Sequence, residues 1–439
     1  MSKKIFVQIA SYRDPQLVPT LRSLFDNADN PEMFNVGIVW QKDDNESLEE
    51  FEEHPQVKYL TFDYKDSHGL GWARSQNAQL FDDEELTLQI DSHHRFLKGW
   101  DTLMLEDYEQ ALSFSENPIL STYLTPFRVG DGDEPNQYDE TPCLMSQYRF
   151  SDDKLLMSMP WYIQDFKERD TVIKARTISG HFYLVNSKFI HEVPYDPDIY
   201  FGGYCEETTM SVRAWTSGYD FFSPYRQYIW HEYTREGRPK HWEDHGKESK
   251  TEKTSGERDS YARKKTRQIF GQEKNNIRLG KFGLGKKRTL KEYEKFCGFD
   301  FKNCLISDYT LEVNEPPNPK ENIKKQKETS TEDEILEIPT PSVDEQPILK
   351  YIYVKWDIQH FKEHEGVGYK TITLGIVDDN DNNLVRIDFT KDEYPTIHDY
   401  TINDILVETD INKSRKIIMF GLREDDTWSP PYVKNIELL

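Results

Sequence analysis

LTLQIDSHHRF, residues 86–96, holds the information from which both the fold and the chemistry follow. Its first five residues form an apolar run of strand length, and the run ends abruptly in Asp91, Ser92, His93 and His94. A strand that is apolar on both faces belongs inside a sheet covered by helices. Upstream lie three runs of the same kind, IFVQIA at 5–10, VGIVW at 36–40 and VKYLTF at 57–62. Between them LVPTLRSLF (17–25), SLEEFEE (47–53) and GWARSQNAQLF (71–81) have helical spacing, so the order is βαβαβαβ and the fold class is α/β with a parallel sheet. Ligands of such sheets gather at the carboxyl ends of the strands, which collects Ser11 to Asp14, Asp43, Asp44 and Asp91 at one crevice.

The chain has 439 residues, more than one ordinary domain needs. We read a catalytic domain over 1–308, a linker over 309–347 rich in Pro, Glu, Lys and Thr, and a β-rich domain over 348–439. The last part reads as antiparallel strands, YIYVKW, YKTITLGIV, NLVRIDF and KIIMFGL, separated by turn-forming stretches such as DDNDNN. Within the first domain, residues 236–260 are polar without an apolar period and are expected to form a mobile loop or lid. YARKKTRQIFG and KRTLKEYEKFCGFD are expected to be its closing helices.

The balance of 55 basic against 79 acidic residues gives a net charge of −24, which disfavours general nucleic-acid binding and anionic membranes. The amino-terminal apolar stretch is broken by Gln8 and Ser11, too short for a signal peptide or an anchor, so a cytoplasmic protein is expected. Four cysteines without CxxC spacing fit reduced thiols better than a zinc site or a disulfide scaffold.

An apolar strand delivers Asp91 to the edge of the sheet, and the following turn lets Asp91 and His93 converge on one cation. A carboxylate with an imidazole suits Mn²⁺ or a similar ion. Farther on, Tyr228-Ile229-Trp230-His231 ends a strand in a histidine, the candidate third ligand. Between these two sites, SGHFYLV at 179–185, FGGYCEE at 201–207 and the helically spaced MSVRAW at 210–215 complete the domain.

On the segments IASYRDP, HGLGWARSQNAQ, QIDSHHRF, GGYCEE and FGLGKKRTLKEYEKFCGFD, the chain resembles the polypeptide N-acetylglucosaminyltransferases that modify hydroxyproline or threonine, over about residues 4 to 302. Its Asp-x-His…His and Gly-Gly…Glu…Arg-x-Trp arrangements are also similar to the retaining N-acetylgalactosaminyltransferases that start mucin-type glycans. The resemblance implies a GT-A fold, a UDP-sugar donor, Mn²⁺ or Mg²⁺ as cofactor, and retention at the anomeric carbon. It assigns Asp91, His93 and His231 as metal ligands and Arg74 as a donor-contacting arginine. Ser11, Tyr12 and Arg13 would border the uracil, with Asp43 and Ser92 also on the donor side. The acid that touches sugar or acceptor is Glu206 or Glu207, with Glu206 preferred by its distance from Trp215. Asp165 and Trp161, in PWYIQDF, are further pocket candidates, with Asp165 in a catalytic role.

The acceptor is open at this level between a protein, a glycan and a modified nucleobase, each of which presents a hydroxyl, and the resemblance favours protein. Two other classes compete: an inactive sugar-binding protein with an adhesive β-domain, and a metal-dependent hydrolase, although no HExxH is present. The β-rich domain could select the acceptor, assemble a homo-oligomer or do neither.

Overall fold

The computed structural model describes residues 4–130, 138–200, 204–234, 238–245, 253–319 and, farther on, 349–355, 369–377, 383–390, 404–410, 416–423 and 432–435. The chain divides into two compact units, Met1–Glu332 and Asp333–Leu439.

In the first unit β1 (Ile5–Tyr12), β2 (Phe34–Lys42), β3 (Val57–Asp63) and β4 (Leu86–Ile90) run parallel in the order β3-β2-β1-β4. These are the four strands expected from their apolar runs. The chain then leaves the sheet through the short β5 (His94–Phe96) and returns as β6 (Pro118–Ser121). After β7 (Pro126–Phe127) come a hairpin of β8 (Cys143–Phe150) and β9 (Leu156–Tyr162), then β10 (Ile173–Lys174) and β11 (Phe182–Asn186). β11 inserts antiparallel between β4 and β6, and β12 (Asp220–Ser223) joins β6 in parallel. The result is a mixed sheet of eight strands, parallel over its first half, with β4 in the middle.

Alternation along the central strands fills both faces. Val7, Ile9, Leu88 and Ile90 are buried in one cluster with residues of α1 (Leu17–Asp26) such as Leu21 and Leu24. On that face Trp100 opens α3 (Trp100–Phe114) and stacks on Phe34, with ring centroids 5.0 Å apart. α2 (Leu70–Asn77), between these two helices in sequence, packs on β1 and β2. Burial of a side chain such as Leu88 or Phe34 is worth roughly 1.5–3 kcal/mol each. Tyr183 and Val185 of β11 belong to a second cluster with α5 (Glu206–Thr216), α7 (Ser255–Ile269) and α8 (Leu290–Cys297).

Three expectations are revised. SLEEFEE does not become a helix. The Glu52 carboxylate accepts from the Ser47 hydroxyl at 2.8 Å and the Leu48 N–H at 3.3 Å, which ties the segment into a single 3-10 turn at Glu49–Phe51. The polar stretch 236–260 contains α6 (His241–Asp244) and the start of α7, whose Thr254–Glu257 capping box supplies the amino-terminal hydrogen bonds that an apolar period does not advertise. The expected linker begins inside the folded unit. Residues Asp308–Leu311 form α9, and Arg176 donates to the Asn314 carbonyl at 2.6 Å and to Asn318 Oδ1 at 2.8 Å. The remainder of that linker, 320–347, lies outside the described residues.

The second unit is antiparallel. Tyr369–Val377 pairs with Asn383–Thr390 on one side and Lys416–Arg423 on the other, and Tyr432–Asn435 extends that sheet. Leu349–Lys355 pairs with Asp404–Asp410. Among the described residues no helix is long and apolar enough to cross a membrane.

Candidate active site

Asp91 and His93 sit in the turn between β4 and β5, and the pairing partner of β5 brings in the distant ligand. β13 (Ile229–Glu232) runs antiparallel to β5 with His231 opposite His94, so the ladder itself carries residue 231 to the turn. Thr20 of α1 secures the turn: its hydroxyl donates to the Ser92 carbonyl at 3.0 Å and accepts the His94 N–H at 2.9 Å. One ligand atom from each of Asp91, His93 and His231 then lies within 4.8 Å of the other two. His231 Nε2 is 3.3 Å and His93 Nε2 3.8 Å from Asp91 Oδ2. A carboxylate oxygen and two imidazole nitrogens at one point are a donor set that fits a divalent transition ion.

Neighbours hold each ligand in orientation, as metal ligands require. His93 Nδ1–H donates to Asp14 Oδ2 at 2.7 Å, which leaves Nε2 to face Asp91. Asp14 Oδ2 also accepts from the Ser92 hydroxyl at 2.7 Å and from Arg238 at 2.9 Å. Burial opposes ionisation of Asp14, yet His93, Arg238 and the Gln16 N–H hold its carboxyl far below the usual range. Arg238 also pairs with Glu232 at 2.7 Å, joining the segment that follows β13 to β1.

On the other side, Arg74 NH2 donates to Asp91 Oδ1 at 2.5 Å and leaves Oδ2 to the imidazoles. Its NH1 pairs with Glu206 and lies 3.4 Å from the Tyr195 hydroxyl. Arg74 is only 2% exposed, and its two terminal nitrogens are taken by Asp91 and Glu206. Burial also opposes ionisation of Asp91, but Arg74, His231 and His93 keep it well below its ordinary value. Burial drives His231 and His181 well below theirs and His94 to about 3, so these rings are neutral at pH 7. His94 is a spacer: Nδ1–H donates to the Trp230 carbonyl at 3.0 Å and Nε2 accepts the Asp91 N–H at 3.1 Å.

Two glycines of the motifs are required by close approach. A Cβ on Gly71 would stand 2.4 Å from the Ile199 carbonyl oxygen, and one on Gly180 would stand 2.9 Å from Glu206 Oε2 and 3.0 Å from Arg74 NH1. Gly180 donates its N–H to Glu207 Oε1 at 3.0 Å. Both acids at the amino end of α5 therefore reach the Arg74 region, Glu206 by ion pairing and Glu207 beside it.

Burial pushes Glu207 up from its ordinary 4.5 to about 7, against the Gly180 N–H and the charge of Arg74. A folded value above the unfolded one means that this group's stabilisation is complete below about pH 4.5 and is lost as pH rises through about 7. Glu207→Gln keeps an oxygen for Gly180 and removes the titration. In EDTA-treated protein the variant is expected to gain about 2 kcal/mol on the parent from pH 4.5 to about pH 8, allowing for partial exposure. Urea denaturation at each pH reads the difference, and a gap that stays constant with pH refutes the assignment.

The remaining expected residues fall in two places. Tyr12, Arg13 and Asp43 stand together at the carboxyl ends of β1 and β2, with Arg13 3.3 Å from Asp43. Tyr12 and Arg13 both donate to Asp244 of α6, at 2.9 and 3.0 Å, and the Arg13 guanidinium lies 4.2 Å from the centre of the Tyr64 ring. Ser11 is fully buried, and its carbonyl accepts from Gln41 at 3.0 Å. Asp165 is not brought to the cluster. It is exposed just after β9 and pairs with Arg169 at 3.0 Å, which faces Glu315. The PWYIQDF stretch itself does not encode where the β8–β9 hairpin ends. Arg238 and Tyr195 stand in no motif, and only the folded chain brings them to the cluster.

A sequence profile described as Glycosyltransferase (GlcNAc) matches residues 4–54 and 47–303, more than half of the chain. The chain belongs to this family. As a glycosyltransferase it transfers a sugar, and the cluster described above lies wholly within the matched region. No curated protein matches the chain. Among solved structures, this glycosyltransferase is similar to GalNAc-T7 crystallised with UDP, GalNAc and Mn²⁺, at 14% identity and a TM-score of 0.44, over 98% of this chain and 68% of that one. It is also similar to S. aureus TarS 1-349 in complex with UDP-GlcNAc, at 16% identity and a TM-score of 0.34, over 54% of this chain and 60% of that one.

Proposed function

We propose that the protein is a metal-dependent, retaining glycosyltransferase that moves N-acetylglucosamine from a UDP donor to a polypeptide hydroxyl in the cytoplasm. The observation that carries this reading is the convergence of Asp91, His93 and His231 within 4.8 Å, at the carboxyl end of the central strand of a member of the Glycosyltransferase (GlcNAc) family. These three residues would hold Mn²⁺ or Mg²⁺, and a divalent ion there supplies positive charge opposite a leaving diphosphate.

The protein's own groups prepare the site. Arg74 and Asp14 orient the ligands in advance, so little reorganisation is needed when charge develops. Tyr12, Arg13 and Asp43 receive the uracil and ribose at the neighbouring strand ends, where a base can stack and pair. Glu206 is buried and ion-paired with Arg74 beside the same cluster, and in this reading it is the acid on the sugar side. The carboxylates beside the cluster are engaged, Asp14 by His93 and Arg238, Glu206 by Arg74 and Glu207 by the Gly180 N–H, so in this reading none serves as a nucleophile, the acceptor attacks from the face the diphosphate leaves, and a phosphate oxygen takes its proton. We assign catalysis to the first unit, within which residues 308–319 also fold, and leave the β-rich part from 348 with acceptor choice, self-association or neither.

Hydrolysis of UDP-GlcNAc, UDP-GalNAc and UDP-glucose with Mn²⁺ and without acceptor tests the donor. Turnover of UDP-GlcNAc in preference to the other two, abolished by EDTA, is expected. Failure of every UDP-sugar rejects the reading, and a β-linked product from the α-linked donor rejects retention.

A further inference from the structure

A cavity of about 280 Å³ lies in the first unit between α2, residues 189–197 and residues 281–282. None of Asp91, His93 and His231 lines it, and it borders the ion cluster through Arg74. Its charge is unusual for this chain. Where acidic residues outnumber basic ones by 24, the cavity is lined by Arg74, Lys281 and His191 and by no Asp or Glu. Deep in the site, the Nε–H of Arg74 is buried and has no hydrogen-bond partner among the described residues, although the other two guanidinium nitrogens are engaged. An unpaired, buried, charge-assisted donor costs free energy that an acceptor would recover. Four rings, Tyr183, Phe189, Tyr195 and Phe282, line the walls, and Lys281 is exposed at the mouth. The volume is near the lower end, about 300 Å³, of pockets that enclose a small organic ligand.

We propose that this cavity is a binding site for a small anion carrying a saturated ring, of the class and size of a hexose phosphate. The anionic group meets Lys281 and His191 at the mouth, and the ring lies against the aromatic walls with an oxygen toward Arg74 Nε. The cavity shares Arg74 with the ion cluster but none of the three ion ligands, and its occupancy is read by binding, apart from any donor turnover.

Calorimetric titration of glucose 6-phosphate, inorganic phosphate and glucose into the full chain tests it, with Lys281→Glu, His191→Glu and Lys98→Glu proteins in parallel. Glucose 6-phosphate is expected to bind more tightly than either fragment. A carboxylate placed at Lys281 or at His191 should weaken it at least tenfold, whereas Lys98→Glu, outside the cavity, should leave it within twofold. Absence of binding by the parent chain overturns the proposal, as does inorganic phosphate binding equally well, an equal loss in the Lys98 variant, or full retention in both cavity variants. All three residues are exposed, so folding of those variants is expected and circular dichroism verifies it.

Discussion

Asp91→Asn is expected to lower UDP-sugar turnover by a factor on the order of 10³ while the protein remains folded. The carboxylate is the only anionic member of the three-ligand set, so the amide removes the charge that attracts the ion and weakens the oxygen that would bind it. Folding should survive because Arg74 keeps Glu206 as a partner and the amide oxygen can still accept one bond from the guanidinium. Two measurements separate the effects: calorimetric titration of Mn²⁺ into the variant reads affinity, and turnover at saturating Mn²⁺ reads what remains of the chemistry. Activity within twofold of the parent would show that the cluster is not the catalytic centre.

Arg74→Met acts in the opposite manner, on stability before activity. The arginine is the shared counter-charge of Asp91 and Glu206, and Glu206 is 3% exposed. Deleting one partner of a buried ion pair costs about 3–5 kcal/mol because the remaining charge is left unpaired in a poorly solvated place. A fall of roughly 10 °C in melting temperature is expected for a unit of this size. Arg74→Lys should recover only part of this, because an ammonium is a point donor and cannot span two carboxylates as the planar fork does. Arg74→Met combined with Glu206→Gln should melt above the single variant, since the second change removes the stranded charge. Scanning calorimetry of the three proteins settles the matter, and an unchanged melting temperature for Arg74→Met would refute the ion-pair account.

Much of this architecture was legible from periodicity. Strands such as IFVQIA and VGIVW announce themselves because a strand covered on both faces is almost continuously apolar, and Asp91 and His93 mark the point at which LTLQI, with polar Thr87 and Gln89, meets the crevice. His231 could be suspected as a strand-terminal histidine, but its partnership with Asp91 depends on the antiparallel pairing of β5 and β13, which no local pattern encodes. The same limit applies to Arg74. A helix motif indicates the residue, whereas its burial between Asp91 and Glu206 follows from the approach of α5, made close by Gly180. Asp14 was visible as a crevice residue, yet its function as the hydrogen-bond acceptor of His93 and Arg238 is a property of the folded chain. Residues 47–53 misled because a charged run of helix formers can satisfy its backbone with one glutamate and stop.

The ladder between β5 and β13 joins positions separated by nearly half of the domain's length, and this alters how an ion would act on the polypeptide as a whole. An unravelled chain offers only Asp91 and His93 as near neighbours, whereas the folded one adds a nitrogen from 138 positions beyond His93. Bound Mn²⁺ would thus resemble a reversible staple across a long loop, favouring the native ensemble through mass action in addition to any part it plays in chemistry.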